Sequence, residues 1–149
     1  MQKKTILKTD VRNHVKEIIA GKIDKLKKFI DFTSEASRDV KKTPKYDSIR
    51  EEMQEEIYRL HEQLGFLNEL RQKLTKVLNT PTERIQLGSM VFTNKARFYI
   101  SVSLGEFFFE GDRFYAISEE SPMAKMMFGK KPGDSFVLNN ISQTIEFVM

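Results

Sequence analysis

Apolar positions between Val11 and Val40 recur in steps of three and four: Val11, Val15, Ile18 with Ile19, Ile23, Leu26 and Ile30, then the weaker Thr33, Ala36 and Val40. That spacing predicts one apolar stripe along a helix capped at its start by Asp10 or by Thr9 before it. The stripe fades after Ile30, and Asp39-Val40-Lys41-Lys42-Thr43-Pro44 breaks it. Thr43 there is placed to cap a second helix whose first residue is Pro44, a position that tolerates a missing N–H. The second pattern runs Tyr46, Ile49, Met53, Ile57, Leu60, Leu64, Leu67, Leu70 or Arg71, Leu74 and Val77 with Leu78, close to heptad spacing, with charged and amide residues between. Two such helices joined by a short turn are expected to lie antiparallel, stripe to stripe. At ~1.5 Å per residue the second would be a rod of roughly 50 Å, with the Arg38 to Pro44 turn at its projecting end. Gly65 inside it costs about 1 kcal/mol relative to alanine, which calls for either close packing or simple tolerance.

The helical period stops at Asn79-Thr80-Pro81-Thr82, and beyond it apolar residues alternate: Ile85 and Leu87; Met90 and Phe92; Phe98, Ile100, Val102 and Leu104; Phe114 and Ala116; Phe136 and Leu138; Ile145 and Phe147. Turn chemistry separates these runs at Gly111-Asp112, Gly133-Asp134 and Asn139-Asn140. One short helix is expected from Pro122 to Phe128, with Ser121 as cap, Pro122 at its first position and Gly129 as stop. The expected fold class is α+β in two domains. Residues 1–80 form a long antiparallel helical hairpin with its tip at about 38–44, and residues 81–149 form a small antiparallel sheet of about five strands with one helix.

Charge sharpens this division. Through Thr80 there are 18 lysines and arginines against 13 acids, net +5, and from Pro81 onward 7 against 8, net −1. A basic first part suits an encounter with nucleic acid or an acidic protein surface, and equally a solvated helix face. The absence of cysteine removes disulfides, thiol catalysis and cysteine-rich zinc sites. His14 and His61 are single and without metal-ligand spacing, and no phosphate loop, hydrolase elbow or dinucleotide fingerprint occurs. No run of 18 apolar residues occurs, and the basic start of the chain lacks the apolar core of a signal peptide, so a cytoplasmic protein with no membrane partner is expected. Phe107-Phe108-Phe109 cannot all face inward on a strand, which leaves at least one ring for an exposed contact. Met123, Met126, Met127 and Phe128 suit either a core or an adaptable docking face.

The stretch from Ala116 to Asp134, with Ile117-Ser118, Ser121-Pro122, a short apolar helix, Gly129-Lys130-Lys131 and Gly133-Asp134, resembles the C-terminal signature of the Gre family of bacterial transcript-cleavage and elongation factors. Leu87-Gly88-Ser89-Met90-Val91 is similar to the first strand of that family's C-terminal domain, and Thr144 to Val148 to its closing strand. The resemblance covers Ile85 to Met149 and implies an FKBP-like C-terminal domain behind a helical hairpin. It implies bacterial RNA polymerase as partner, docked through Ser121, Pro122, Met123 and Gly129, with the hairpin in the secondary channel. Nucleic acid would be met only within the transcription complex. In such factors tip carboxylates help hold a second magnesium ion in the polymerase's own active centre, because that hard cation takes oxygen ligands. The chain itself would carry no cofactor and would not be an enzyme in isolation.

The tip departs from the family pattern. Where the cleavage factors read approximately Gly-Asp-Leu-x-Glu-Asn-Ala-Glu-Tyr, this chain has Arg38-Asp39-Val40-Lys41-Lys42-Thr43-Pro44-Lys45-Tyr46. Asp39, Val40 and Tyr46 correspond, whereas Lys42 and Lys45 stand in place of acids. Asp39 is the candidate tip acid. Glu35 is a second, sharing a helical face with Asp39 and Asp31. With Lys41, Lys42 and Lys45 around them, stimulation of cleavage is in doubt, and a non-cleaving occupant of the channel is the alternative. From other classes, a prolyl isomerase would use an aromatic pocket that usually includes tryptophan, which this chain lacks, and a coiled-coil adaptor would use the hairpin alone.

Overall fold

The computed structural model describes residues 7–149. Met1 to Ile6, within the basic start that lacks a signal-peptide core, lie outside the described residues. The fold is α+β, with two long helices followed by a sheet. Helix α1 spans Lys8–Asp39 and α2 spans Asp47–Thr75. Among the described residues no helix is long and apolar enough to cross a membrane. The chain divides into two compact units, one holding the described residues through Glu17 together with Gln72–Met149, the other Ile18–Arg71.

In the second of these units the expected stripes are buried in part: Ile19, Ile23 and Ile30 on α1 and Leu60 and Leu70 on α2 are buried, while Leu26, Met53, Ile57, Leu64 and Leu67 are half-buried. Gln54 Nε2 donates to Ser37 Oγ at 3.1 Å. In the other unit Arg12 donates to the Thr75 carbonyl at 3.2 Å. Contacts between residues 37 and 54, and again between 12 and 75, are the pairing of an antiparallel hairpin. Burial weakens toward the turn, where Ile49 is 47% exposed against 5% for Leu60.

Both helix starts differ from the expectation. α1 begins at Lys8, so Thr9 and Asp10 lie in its first turn instead of capping it, and the Asp10 charge suits the positive end of the helix dipole. The second helix is not continuous from Pro44 to Leu78. Pro44–Tyr46 is a single 3₁₀ turn, and α2 follows it. Thr43 occupies the cap position with extended backbone, but its side chain makes no capping bond. At the far end the amides of Lys76 and Val77 bond the carbonyls of Lys73 and Leu74, a tightening last turn that ends before Pro81, whose ring disfavours helix in the residue before it.

The sheet has six strands: β1 (Met90–Thr93), β2 (Arg97–Ile100), β3 (Gly105–Phe109), β4 (Asp112–Ile117), β5 (Ser135–Leu138) and β6 (Ile141–Val148), in the order β3-β4-β2-β1-β6-β5. It is mixed, because β2 and β4 pair in parallel while every other neighbouring pair is antiparallel. The expected strand from Phe98 to Leu104 stops at Ile100, and the chain leaves the sheet before returning as the edge strand β3. This excursion turns about five antiparallel strands into six mixed ones. The turn between β3 and β4 is Glu110-Gly111, one residue earlier than expected, with φ of 52° and 84°. Asn139-Asn140 makes the matching two-residue turn between β5 and β6, with φ of 52° and 63°. Ile85 and Leu87 are not in a strand; the Ile85 N–H donates to the Lys130 carbonyl and its carbonyl accepts from the Gly129 N–H, at 2.9 and 2.8 Å.

Both faces of the sheet carry buried side chains. On one, Val91, Phe98, Ile100, Phe136 and Ile145 pack with Ile85 and with Ala124 and Met127 of helix α3, which spans Pro122–Met127. On the other, the Phe114 ring stacks on Phe107 at 5.5 Å between centroids and meets Phe92 edge-on at 6.1 Å. His14 closes this cluster. Its ring lies 5.3 Å from Phe109, and Nε2–H donates to the Phe108 carbonyl at 2.7 Å. The three consecutive phenylalanines alternate as a strand demands, with Phe107 buried and Phe108 exposed beneath the Arg113 guanidinium.

Tyr99 is fully buried, and its hydroxyl has no hydrogen-bond partner among the described residues. Burial pushes its phenol from the ordinary value of 10 up to about 12, with the nearby Arg12 charge pulling weakly the other way. The folded state therefore holds this proton after the unfolded chain has lost it, and stability falls as pH rises above 10. Tyr99→Phe should be neutral or stabilising at pH 7, since it removes an unpaired polar group. It should also flatten the decline in melting temperature measured between about pH 9.5 and about pH 11, where the unfolded phenol ionises and the folded one does not.

The glycines give a second check. A Cβ built on Gly65 meets nothing within 4 Å, so tolerance and not close packing explains that residue, and Gly65→Ala should stabilise by about 0.5–1 kcal/mol in urea denaturation. At Gly88, φ is +93° and a Cβ would stand 2.6 Å from the Leu78 carbonyl oxygen, so Gly88→Ala should destabilise by about 1–3 kcal/mol.

Candidate functional site

At the tip, α1 ends at Asp39 and the chain crosses to α2 through Val40–Thr43 and the 3₁₀ turn. The loop is fastened from the α2 side by Arg50. Its Nη1 donates to the Lys41 carbonyl at 2.6 Å and to the Thr43 carbonyl at 3.3 Å, and Nη2 pairs with Asp47. Tyr46 N–H closes on the Thr43 carbonyl at 2.9 Å. Arg50 was not singled out from the sequence. The available signal was its place in the opening turns of a helix, where the dipole disfavours a cation unless it has another task.

With the backbone held in this way, the side chains of Lys41, Lys42 and Lys45 are exposed, and none of them has an ion-pair partner among the described residues. Lys45 Nζ stands 5.7 Å from the Tyr46 ring centroid. Asp39 is exposed as well, and so are Glu35 and Asp31. Among the described residues no three His, Asp or Glu side chains gather where they could hold a metal ion, so the acidic column on α1 is not drawn together into a cluster. Arg38, Lys41, Lys42 and Lys45 against Asp39 make the segment net +3. Such a loop can attract phosphates or carboxylates, and by itself it is poorly suited to recruit a dication.

The segment from Ser121 to Asp134 is built by its own sequence. Ser121 Oγ accepts from the Ala124 N–H at 3.1 Å, Pro122 takes the first helical position, and Ala124 and Met127 anchor α3 in the core. Gly129 takes a φ of +79° while its carbonyl accepts from Arg84 at 3.0 Å. Gly133 takes +96°, and the Asp134 carboxylate accepts from the Lys131 N–H at 3.0 Å. Met123 is half-buried against the core, its sulfur 4.0 Å from Gln143 Nε2. Ser121, Met123 and Gly129 thus have parts in shaping the segment, and the outward surface is Pro122 with Met126 and Phe128, 39% and 48% exposed. Gln143 was also missed from the sequence: it is buried, with Oε1 accepting from Thr93 Oγ1 at 2.7 Å. A lone amide on an alternating strand gives no sign of such a role.

Arg50→Ala should leave the far-UV circular dichroism unchanged and loosen the loop alone. Amide hydrogen exchange at Tyr46 should accelerate by roughly tenfold, as loss of about 1–2 kcal/mol of charge-assisted bonding requires, while exchange at Leu60 stays as in the native protein.

No protein-family model matches the chain, and no curated protein does. Among solved structures, that of the transcription factor Gfh1 is similar, with 18% sequence identity, coverage of 88% of this chain and 89% of that chain, and a TM-score of 0.36. A superposition this loose transfers neither a site nor an activity.

Proposed function

We propose that the protein is a Gre-type regulator of transcription elongation that binds bacterial RNA polymerase, docks through the outward face of α3 and places the hairpin tip in the secondary channel. It acts there by occupancy and not by stimulating RNA cleavage. The family part of this reading rests on the sequence resemblance between Ala116 and Asp134. The choice of occupancy rests on one observation, the Arg50-fastened loop that displays Lys41, Lys42 and Lys45 around the single tip acid Asp39.

Charge decides between the two roles. Two unit charges 4 Å apart interact by roughly 4 kcal/mol at an effective dielectric constant of 20, and a dication doubles that. Three ammonium groups, on Lys41, Lys42 and Lys45, therefore oppose a second magnesium ion by more than the single Asp39 carboxylate at a similar distance can offset. The same ammonium groups suit the carboxylates and phosphates of a polymerase active centre, which favours residence without chemistry.

The test is a cleavage assay on backtracked complexes of the cognate polymerase, run beside a binding assay. The native protein should bind and slow elongation, with cleavage unchanged from polymerase alone. Met126→Glu combined with Phe128→Glu should weaken binding at least tenfold, by roughly 1.4 kcal/mol or more, because both are exposed apolar side chains on the proposed docking face. Strong cleavage by the native protein, abolished by Asp39→Ala, would refute occupancy; full binding by the folded double variant would move the docking face elsewhere.

A further inference from the structure

Between the helices, within Ile18–Arg71, lies an open apolar groove. Lys22, Lys25 and Phe29 of α1 form one wall, Glu62 and Phe66 of α2 the other, with Leu60 among the floor residues. Phe29 is 49% and Phe66 53% exposed, an unusual placement for two phenylalanines flanking one groove, since an aromatic ring carries a large apolar area and favours a partner. The two walls carry opposite charge. Among the described residues none of Lys22, Lys25 and Glu62 has an ion-pair partner; Glu62 interacts with the neighbouring Tyr58 hydroxyl.

We propose that the occupant of this groove is a second copy of the chain, packed hairpin against hairpin about a two-fold axis along the helices. The argument is charge complementarity. A foreign helix of one sign would satisfy one wall and be repelled by the other. A two-fold mate satisfies both, because wherever the α1 wall of one copy meets the α2 wall of its partner, the reciprocal contact exists. Lys22 and Lys25 then face the partner copy's acidic wall, and the phenylalanines of both walls share the dry centre, as in a four-helix packing of near-heptad stripes. The contact is confined to this groove, so the association is weak, with a dissociation constant on the order of micromolar or above.

Sedimentation velocity over a concentration series from about 1 µM to about 1 mM tests this, because mass action must reveal a dimer of that affinity within the range. The wild type should pass from the mass of one chain toward that of two. K22E combined with K25E, and separately E62K, should each weaken self-association at least tenfold by setting like charges across the contact. Mixing these two variants is the decisive arm. In the mixed pair one half sets glutamates against the new lysine, and the other keeps the original lysines against Glu62, so a heterodimer should return with near wild-type affinity. Recovery on mixing also demonstrates that both variants are folded. A wild type that stays monomeric throughout, or a dimer that the charge variants leave intact or that mixing fails to restore, would overturn the proposal. None of these readouts involves polymerase, so they stand apart from the proposed role in transcription.

Discussion

Each long helix offers a narrow apolar stripe and little else that water will not hold, so the two can be stable only by burying the stripes against each other. That requirement sets the antiparallel course and the level at which Ser37 meets Gln54 and Arg12 meets Thr75. It also explains the gradient in packing. Val11, Val15, Ile19 and Ile23 are buried, whereas Ile49 near the turn is half in water. Where apolar contact gives out, polar bonding takes over, and Arg50 holds with three interactions what no side-chain core is available to hold.

Long periodic elements were legible in the sequence. The two helices, the change of period after Asn79 and the short helix expected from Pro122 to Phe128, observed as Pro122–Met127, all follow from spacing and capping residues that act locally. The errors lie where local rules have rivals. Thr43 has the chemistry of a cap, but the following Pro44–Tyr46 turn and the Arg50 guanidinium use its carbonyl, and its hydroxyl makes no capping bond. The parallel pairing of β2 with β4 was illegible, because alternation tells which residues share a face and not which strand lies beside which. Pairing of His14 with Phe108, 94 positions apart, was equally out of reach.

The candidate site was legible in part, and for a physical reason. The tip's charge can be counted from the sequence, so its basic character was plain before its geometry was known. The Ser121 to Asp134 segment is different, since the residues that make its motif recognisable are those that the backbone requires. Ser121 caps, Gly129 and Gly133 take positive φ, and Asp134 closes a turn. A recognisable motif of this kind marks a shape, and its exposed apolar side chains, Met126 and Phe128, lie between the residues that make that shape.

The sheet's strand order bears on how the protein is made. β6 is an interior strand, bonded to β1 on one side and β5 on the other, and Met149 and Met90 exchange both backbone bonds at 3.0 Å. During synthesis the helices, whose contacts with each other lie within the first half of the chain, emerge and can pair early. β1 through β4 must wait with an unpaired edge until residues 141–148 leave the ribosome, because nothing else lies between β1 and β5. The hairpin is thus available before the sheet is whole, and for that interval the nascent chain carries both an open strand edge and a finished coiled coil.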